Sequence, residues 1–118
     1  VLYQNIFDVD SVKIDTSIAM QVYENLLSNA VRYAKRKIEI AIDKKDSLLL
    51  LNVVDDGAGF TAKDLSNAMK PFYKAENEIN NEHFGMGLNI CKMLCEKHGG
   101  YLQISNENGA KAVAAFKE

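Results

Sequence analysis

Residues 48–54 form a near-continuous apolar run of strand length, and it stops abruptly at Asp55-Asp56-Gly57-Ala58-Gly59. An unbroken apolar run of that length is expected of a central strand covered on both faces, and the acidic glycine cluster opens a loop at its end. A chain built around such a strand needs partners to pair with it and helices to cover it. Upstream, Ile38, Ile40 and Ile42 alternate with Glu39 and Ala41, the pattern of a strand with one buried face, and Lys44, Lys45 and Asp46 are read as the turn between the two strands. Downstream, residues 101–105 and 111–117 read as a hairpin around Asn106-Glu107-Asn108-Gly109.

The covering helices are legible from the three-to-four spacing of one apolar stripe. Ile18, Val22, Leu26, Ala30 and Tyr33 mark a long helix that Asp15 or Thr16 can cap and that runs to about Ala34. Thr61 and Asp64 resemble a capping box, opening a short helix through Leu65, Ala68 and Met69 that Pro71 helps to stop. A further helix starts near Gly85, turns Leu88, Cys91, Leu94 and Cys95 inward, and ends at His98-Gly99-Gly100 with glycine available for a left-handed cap. Between them, residues 72–84 hold no stable period, and their Glu and Asn content suits a mobile surface lid. No repeat or boundary interrupts the chain, so residues 1–118 read as one α/β unit with helices packed on a mixed sheet.

The bulk properties narrow the function classes. With 118 residues, 47% hydrophobic and a single proline, the chain is sized for one domain with a real core and is not a linker. A net charge of -2 argues against broad nucleic-acid contact, which needs a surplus of Lys and Arg on one face. No apolar run reaches bilayer length and residues 1–10 lack the pattern of a signal peptide, so a cytoplasmic domain without membrane contact is expected. Cys91 and Cys95, four apart on a helix, read as buried small side chains in a reducing compartment, because no further His or Cys stands at a metal-supporting spacing.

Three segments carry candidate chemistry. In the first helix, Asn25, Asn29, Arg32 and Tyr33 occupy a face adjoining the apolar stripe, since residues three and four apart are neighbours. Two amides and a guanidinium there suit magnesium and phosphate, because magnesium takes oxygen ligands and shares them with substrate phosphates; the same pattern also describes a solvated polar stripe. At the strand end, a carboxylate such as Asp55 accepts hydrogen bonds from an exocyclic amine while Gly57 and Gly59 let the backbone approach a planar ring, although Asp-Gly is equally turn chemistry. In His83-Phe84-Gly85-Met86-Gly87-Leu88, a glycine pair opens a helix whose free amides form a phosphate site. No strand immediately precedes that pair and a third glycine is missing, which excludes a dinucleotide fingerprint.

Taken together and in this order, the segments resemble the GHKL ATPase superfamily, and within it the catalytic domain of sensor histidine kinases. Residues 25–34 resemble its N box, residues 55–59 its first glycine box, Pro71-Phe72-Tyr73 its F box and Gly85-Met86-Gly87-Leu88 its second glycine box. The resemblance implies a two-layer α/β sandwich of the Bergerat type, with a mixed, mainly antiparallel sheet of about five strands packed by about three helices. It implies that Asn29 holds magnesium with Asn25 close by, that Arg32 and Tyr33 reach phosphate or ribose, and that Asp55 binds the adenine amine. The amides of Gly85, Met86, Gly87 and Leu88 would meet the phosphates, with Lys74 and Phe84 bordering the lid. The cofactors implied are ATP and magnesium. His83 stands where many members have glycine, Pro71 replaces a usual lid arginine, and the last glycine-threonine motif is Gly109-Ala110.

Hydrolases of this superfamily resemble one another in carrying a glutamate one turn before the metal asparagine. That position here is Asn25, and an amide takes no proton at neutral pH, so the residue that would activate water is absent. Phosphoryl transfer to an outside nucleophile remains open, since it depends on positioning and charge neutralisation. The resemblance supplies a histidine on a separate helical dimerisation domain of the same kinase, with a response regulator downstream. The alternatives are an ATP-binding regulatory module without transfer activity and a serine kinase of the anti-sigma-factor type.

Overall fold

The computed structural model describes residues 14–70 and 87–118 in full and residues 2–7 at the level of the backbone. The elements run β1 (Leu2–Phe7), α1 (Thr16–Tyr33), β2 (Lys37–Lys45), β3 (Leu48–Asp55), α2 (Ala62–Asn67), α3 (Gly87–Lys97), β4 (Tyr101–Asn106) and β5 (Ala110–Lys117). The five strands form one sheet in the order β1-β2-β3-β5-β4. β1 runs parallel to β2, and every other pair is antiparallel. The result is the two-layer sandwich with a mixed, mainly antiparallel sheet. The fifth strand, which the sequence reading left unplaced, is β1 at the edge beside β2.

Strand register decides which side chains share a face. Ile38, Ile40 and Ile42 stand opposite Asp55, Val53 and Leu51, while Leu49, Leu51 and Val53 stand opposite Phe116, Ala114 and Ala112. This face is the buried one, and α1 and α3 lie over it. Val22, Leu26 and Ala30 from α1 and Cys91 and Cys95 from α3 complete the cluster. Alanine at 30, 112 and 114 keeps the layers close, so truncating a large neighbour such as Leu26 leaves a cavity costing about 2 to 5 kcal/mol.

β3 is central, as its apolar run implies, but among the described residues helices cover one of its faces only. Burial alternates along it, with Leu49, Leu51, Val53 and Asp55 buried and Leu48, Leu50, Asn52 and Val54 half-buried. Among the described residues no helix lies over the second face, and the strand's neighbours and its own apolar bulk give that face its partial cover. The turn before β3 is also shorter than expected. Lys44 and Lys45 continue the ladder opposite Leu49 and Leu48, leaving Asp46 in the left-handed conformation at φ 57° and Ser47 to reverse the chain. Lys44 is held in line by Glu118 at 3.1 Å.

The helix ends follow local chemistry. Asp15 caps α1, its carboxylate accepting from the amides of Ser17 and Ile18, and Ala34 closes the helix in an extended conformation. Thr61 and Asp64 form the expected capping box on α2, which ends at Asn67, two residues before the anticipated Met69. α3 ends as glycine at C′ requires: the Gly100 amide reaches back to the Cys95 carbonyl and Gly99 sits at φ 77°. His98, at the end of α3, also makes contacts across the fold. Its Nε2 accepts from the Asp15 amide at 2.9 Å, and its ring meets Phe116 edge-on at 5.8 Å. It therefore links the end of α3 to the start of α1.

Candidate functional site

α1, the end of β3 and the start of β5 meet at one cleft. Asp55 is the last residue of β3 and is 5% exposed, facing the helix layer because it continues the Leu49, Leu51, Val53 alternation. Burial pushes its carboxyl above the usual carboxylate value, opposed in part by hydrogen bonds that Oδ1 accepts from the amides of Gly57 at 2.8 Å and Ala110 at 3.3 Å. Asn29 stands across from it on α1. Together with Leu26, Ala30, Val53, Phe60, Ala110, Lys111 and Ala112 they line a narrow cleft with about 10 Å³ of room, no more than one water.

Asp56 points the other way and has a different duty. Its carboxylate accepts from the amides of Lys35 at 2.8 Å and Arg36 at 3.0 Å, locking the link between α1 and β2. These amides hold its carboxyl below the usual range, that of Arg36 foremost. The glycine segment then packs directly onto the end of α1. A side chain at Gly57 would collide with the Tyr33 carbonyl, so glycine is what lets the loop touch the helix that carries Arg32 and Tyr33. Gly59 takes φ 82°, and the next residue, Phe60, is gripped by Asn106, whose Oδ1 accepts from its amide at 2.7 Å and whose Nδ2 donates to its carbonyl at 2.9 Å.

Of the residues singled out in the sequence, the structure brings Asn29 and Asp55 to one cleft, with Gly57 and Gly59 shaping its rim and Tyr33 abutting Gly57. Asn25, one turn before Asn29, is not among the cleft-lining residues. Its side chain lies toward the Cys91 thiol on α3, and Cys91 donates to the Val22 carbonyl at 3.8 Å. Burial pushes both thiols up to about 12, so they remain protonated and unreactive, in keeping with small core side chains. Gly87 and Leu88 begin α3 as described, with Leu88 packed against the core. Lys74, Phe84, Gly85, Met86, His83, Pro71-Phe72-Tyr73 and the expected lid lie outside the described residues.

Two contributors escaped the sequence reading. Phe60 lines the cleft, and an aromatic directly after the glycine segment is a signal that was available. Asn106 had none, because a polar residue at a hairpin looks like turn chemistry until the fold brings it to Phe60, far away in sequence.

The helices roof one face of a mixed sheet, and an amide on α1 and a buried carboxylate at the end of the central strand line one cleft. Residues 14–118 match the family described as "Histidine kinase-, DNA gyrase B-, and HSP90-like ATPase", and the chain belongs to it. It is 40% identical over 93 residues to the sensor protein SrrB of Staphylococcus aureus, covering 75% of this chain and 16% of that protein. It is 32% identical over 113 residues to the sensor protein KdpD of Clostridium acetobutylicum, covering 92% of this chain and 13% of that protein. The chain thus spans a small part of these relatives' length. Among solved structures, the mycobacterial sensor histidine kinase MprB superposes with a TM-score of 0.85 at 19% identity, over 98% of this chain and 82% of that one, which establishes the shared fold. Among the described residues no helix is long and apolar enough to cross a membrane.

Proposed function

We propose that this domain binds Mg-ATP over the narrow cleft between α1 and the end of β3, with Asn29 and Asp55 at its mouth reaching the nucleotide, and donates the γ-phosphoryl group to a histidine on a separate helical dimerisation domain. The observation that carries the reading is the meeting of Asn29 and Asp55 on one cleft, from segments that are remote in sequence. Asp55 offers a buried acceptor whose position is fixed by two backbone amides, suited to the amine of adenine. Asn29 offers a neutral oxygen. A single amide ligand fits magnesium, which fills most of its coordination shell with water and phosphate oxygens and supplies charge neutralisation there when bound.

The remaining assignments follow position by position. Arg32 and Tyr33 lie at the end of α1 that touches the Gly57 segment and would reach phosphate or ribose. Gly85, Met86, Gly87 and Leu88 would present amides to the phosphates, and Lys74 and Phe84 would border them. Asn25 cannot deprotonate water, and its engagement with Cys91 makes it part of the support for α1 against α3. The acceptor is then a partner histidine, the downstream recipient a response regulator, and the setting cytoplasmic, with neither nucleic acid nor membrane touched by this domain.

Titration of the chain with ATP and GTP, with and without magnesium, tests the proposal. ATP should bind in preference to GTP, and the magnesium dependence should vanish in Asn29→Ala. Equal affinity for the two nucleotides would remove Asp55 from its role.

A further inference from the structure

The first turn of α3 is held by a bond that none of the roles above uses. Asn89, two residues beyond Gly87, donates from Nδ2 to the Met69 carbonyl at 3.0 Å in a half-buried setting. Met69 lies just past α2, where the Ala68 amide still reaches the Asp64 carbonyl at 2.7 Å and the Lys70 amide reaches Asn67 at 2.9 Å. Its side chain packs against the core, so its carbonyl sits on a fixed support. At the other end of α2, the Thr61 and Asp64 capping box follows directly on Phe60, which Asn106 grips from both sides. A continuous series of hydrogen-bonded elements therefore runs from the Asp55 loop through α2 to the first turn of α3. From the α1 side, Cys91 and its contacts with Val22 and Asn25 hold the second turn.

We propose that Asn89 is a positioning residue: through Met69 it sets the start of α3 relative to the Asp55 loop, so that base and phosphates are met together. The inference rests on the nucleotide reading above. Its physical basis is that a helix end serves a phosphate only where its amides stand at the right distance from the group that holds the base, and small misplacements are costly. A staple that served stability alone would weaken every ligand alike on removal. A positioning staple costs affinity only for ligands that carry phosphates.

The test compares ATP, ADP and adenosine binding to the unmodified chain, to Asn89→Leu, which has no donor, and to Asn89→Gln, which keeps one. Asn89→Leu should bind ATP and ADP roughly five- to tenfold more weakly, the worth of one hydrogen bond, while adenosine stays within about twofold. Asn89→Gln should recover most of the loss. Melting of the ligand-free variants accompanies the titrations, and Asn89→Ala, which adds no bulk, provides the same comparison if the leucine variant does not fold. Equal weakening of all three ligands, or no weakening of any, overturns the positioning role while leaving nucleotide binding intact. Failure of the unmodified chain to bind any of the three removes the nucleotide reading and this inference with it.

Discussion

Asp55 and Asp56 are neighbours in sequence with opposite duties, and their titration should show it. Asp55 has a raised carboxyl value because burial disfavours its charge. For a folded value above the unfolded one, stability is greatest at low pH and falls as pH rises through the folded value, so the ionised form of Asp55 burdens the empty domain relative to the protonated one. Asp55→Asn should therefore leave the ligand-free melting temperature unchanged or higher, while ATP affinity drops by roughly 1 to 3 kcal/mol as an acceptor facing an amine becomes a donor. Calorimetry on both states checks the pair of effects, and a less stable apo variant would contradict the burial argument. For Asp56 the sign reverses. Its value lies below the ordinary 3.8, so its contribution is complete above that pH and disappears as pH falls through the lower folded value. Acid unfolding curves of Asp56→Asn should be flatter on that limb than those of the unmodified chain, with lower stability at neutral pH.

At the level of elements, the glycine segment is a loop made rigid by what touches it. Asp56 ties the α1–β2 link, Gly57 rests on the Tyr33 carbonyl, and Asn106 of β4 holds Phe60. Asn106→Leu removes two hydrogen bonds at an exposed position and should cost about 1 to 2 kcal/mol at most. Its sharper signature is local: faster hydrogen exchange at the Phe60 amide with little change in the amides of β3. Unchanged exchange there would mean that the loop is held by the glycine contacts alone. The same elements show how far local pattern carries. The α1 stripe, the α2 capping box and the α3 glycine cap are all set by residues within a turn or two of one another, and all formed as read. The turn before β3 was misjudged because Lys44 and Lys45 are polar but exposed, and exposure does not stop a strand whose partner keeps pairing.

For the whole molecule, the proposed division of labour between this domain and a partner yields a test of what it will not do. The Asn25 position lacks an acid and the reading places the acceptor histidine on another domain, so the chain alone should bind ATP, hydrolyse it very slowly and not label itself. His98 is an unsuitable acceptor, being occupied by the Asp15 amide and set against Phe116. Mixing with the dimerisation domain of the same kinase should place acid-labile phosphate on that domain only, and Asn29→Ala should abolish it. Rapid hydrolysis by the chain alone would refute the arrangement. ATP at a hundredfold excess over its dissociation constant should raise stability by about 2.7 kcal/mol, read as a melting shift.

The sequence by itself determined the helices, the central strand with its acidic end, the closing hairpin and the order of the three candidate segments, because each depends on short-range periodicity or capping. It also pointed to Asn29 and Asp55, since their residue types were unusual for their places. Only the tertiary structure decided that β3 is covered on one face, that a parallel β1 pairs with β2, and that Asn106 serves Phe60 and Asn89 serves Met69. Those outcomes depend on strand order and on contacts between residues far apart in the chain, where the local pattern of a polar side chain is the same whether it meets water or a backbone carbonyl.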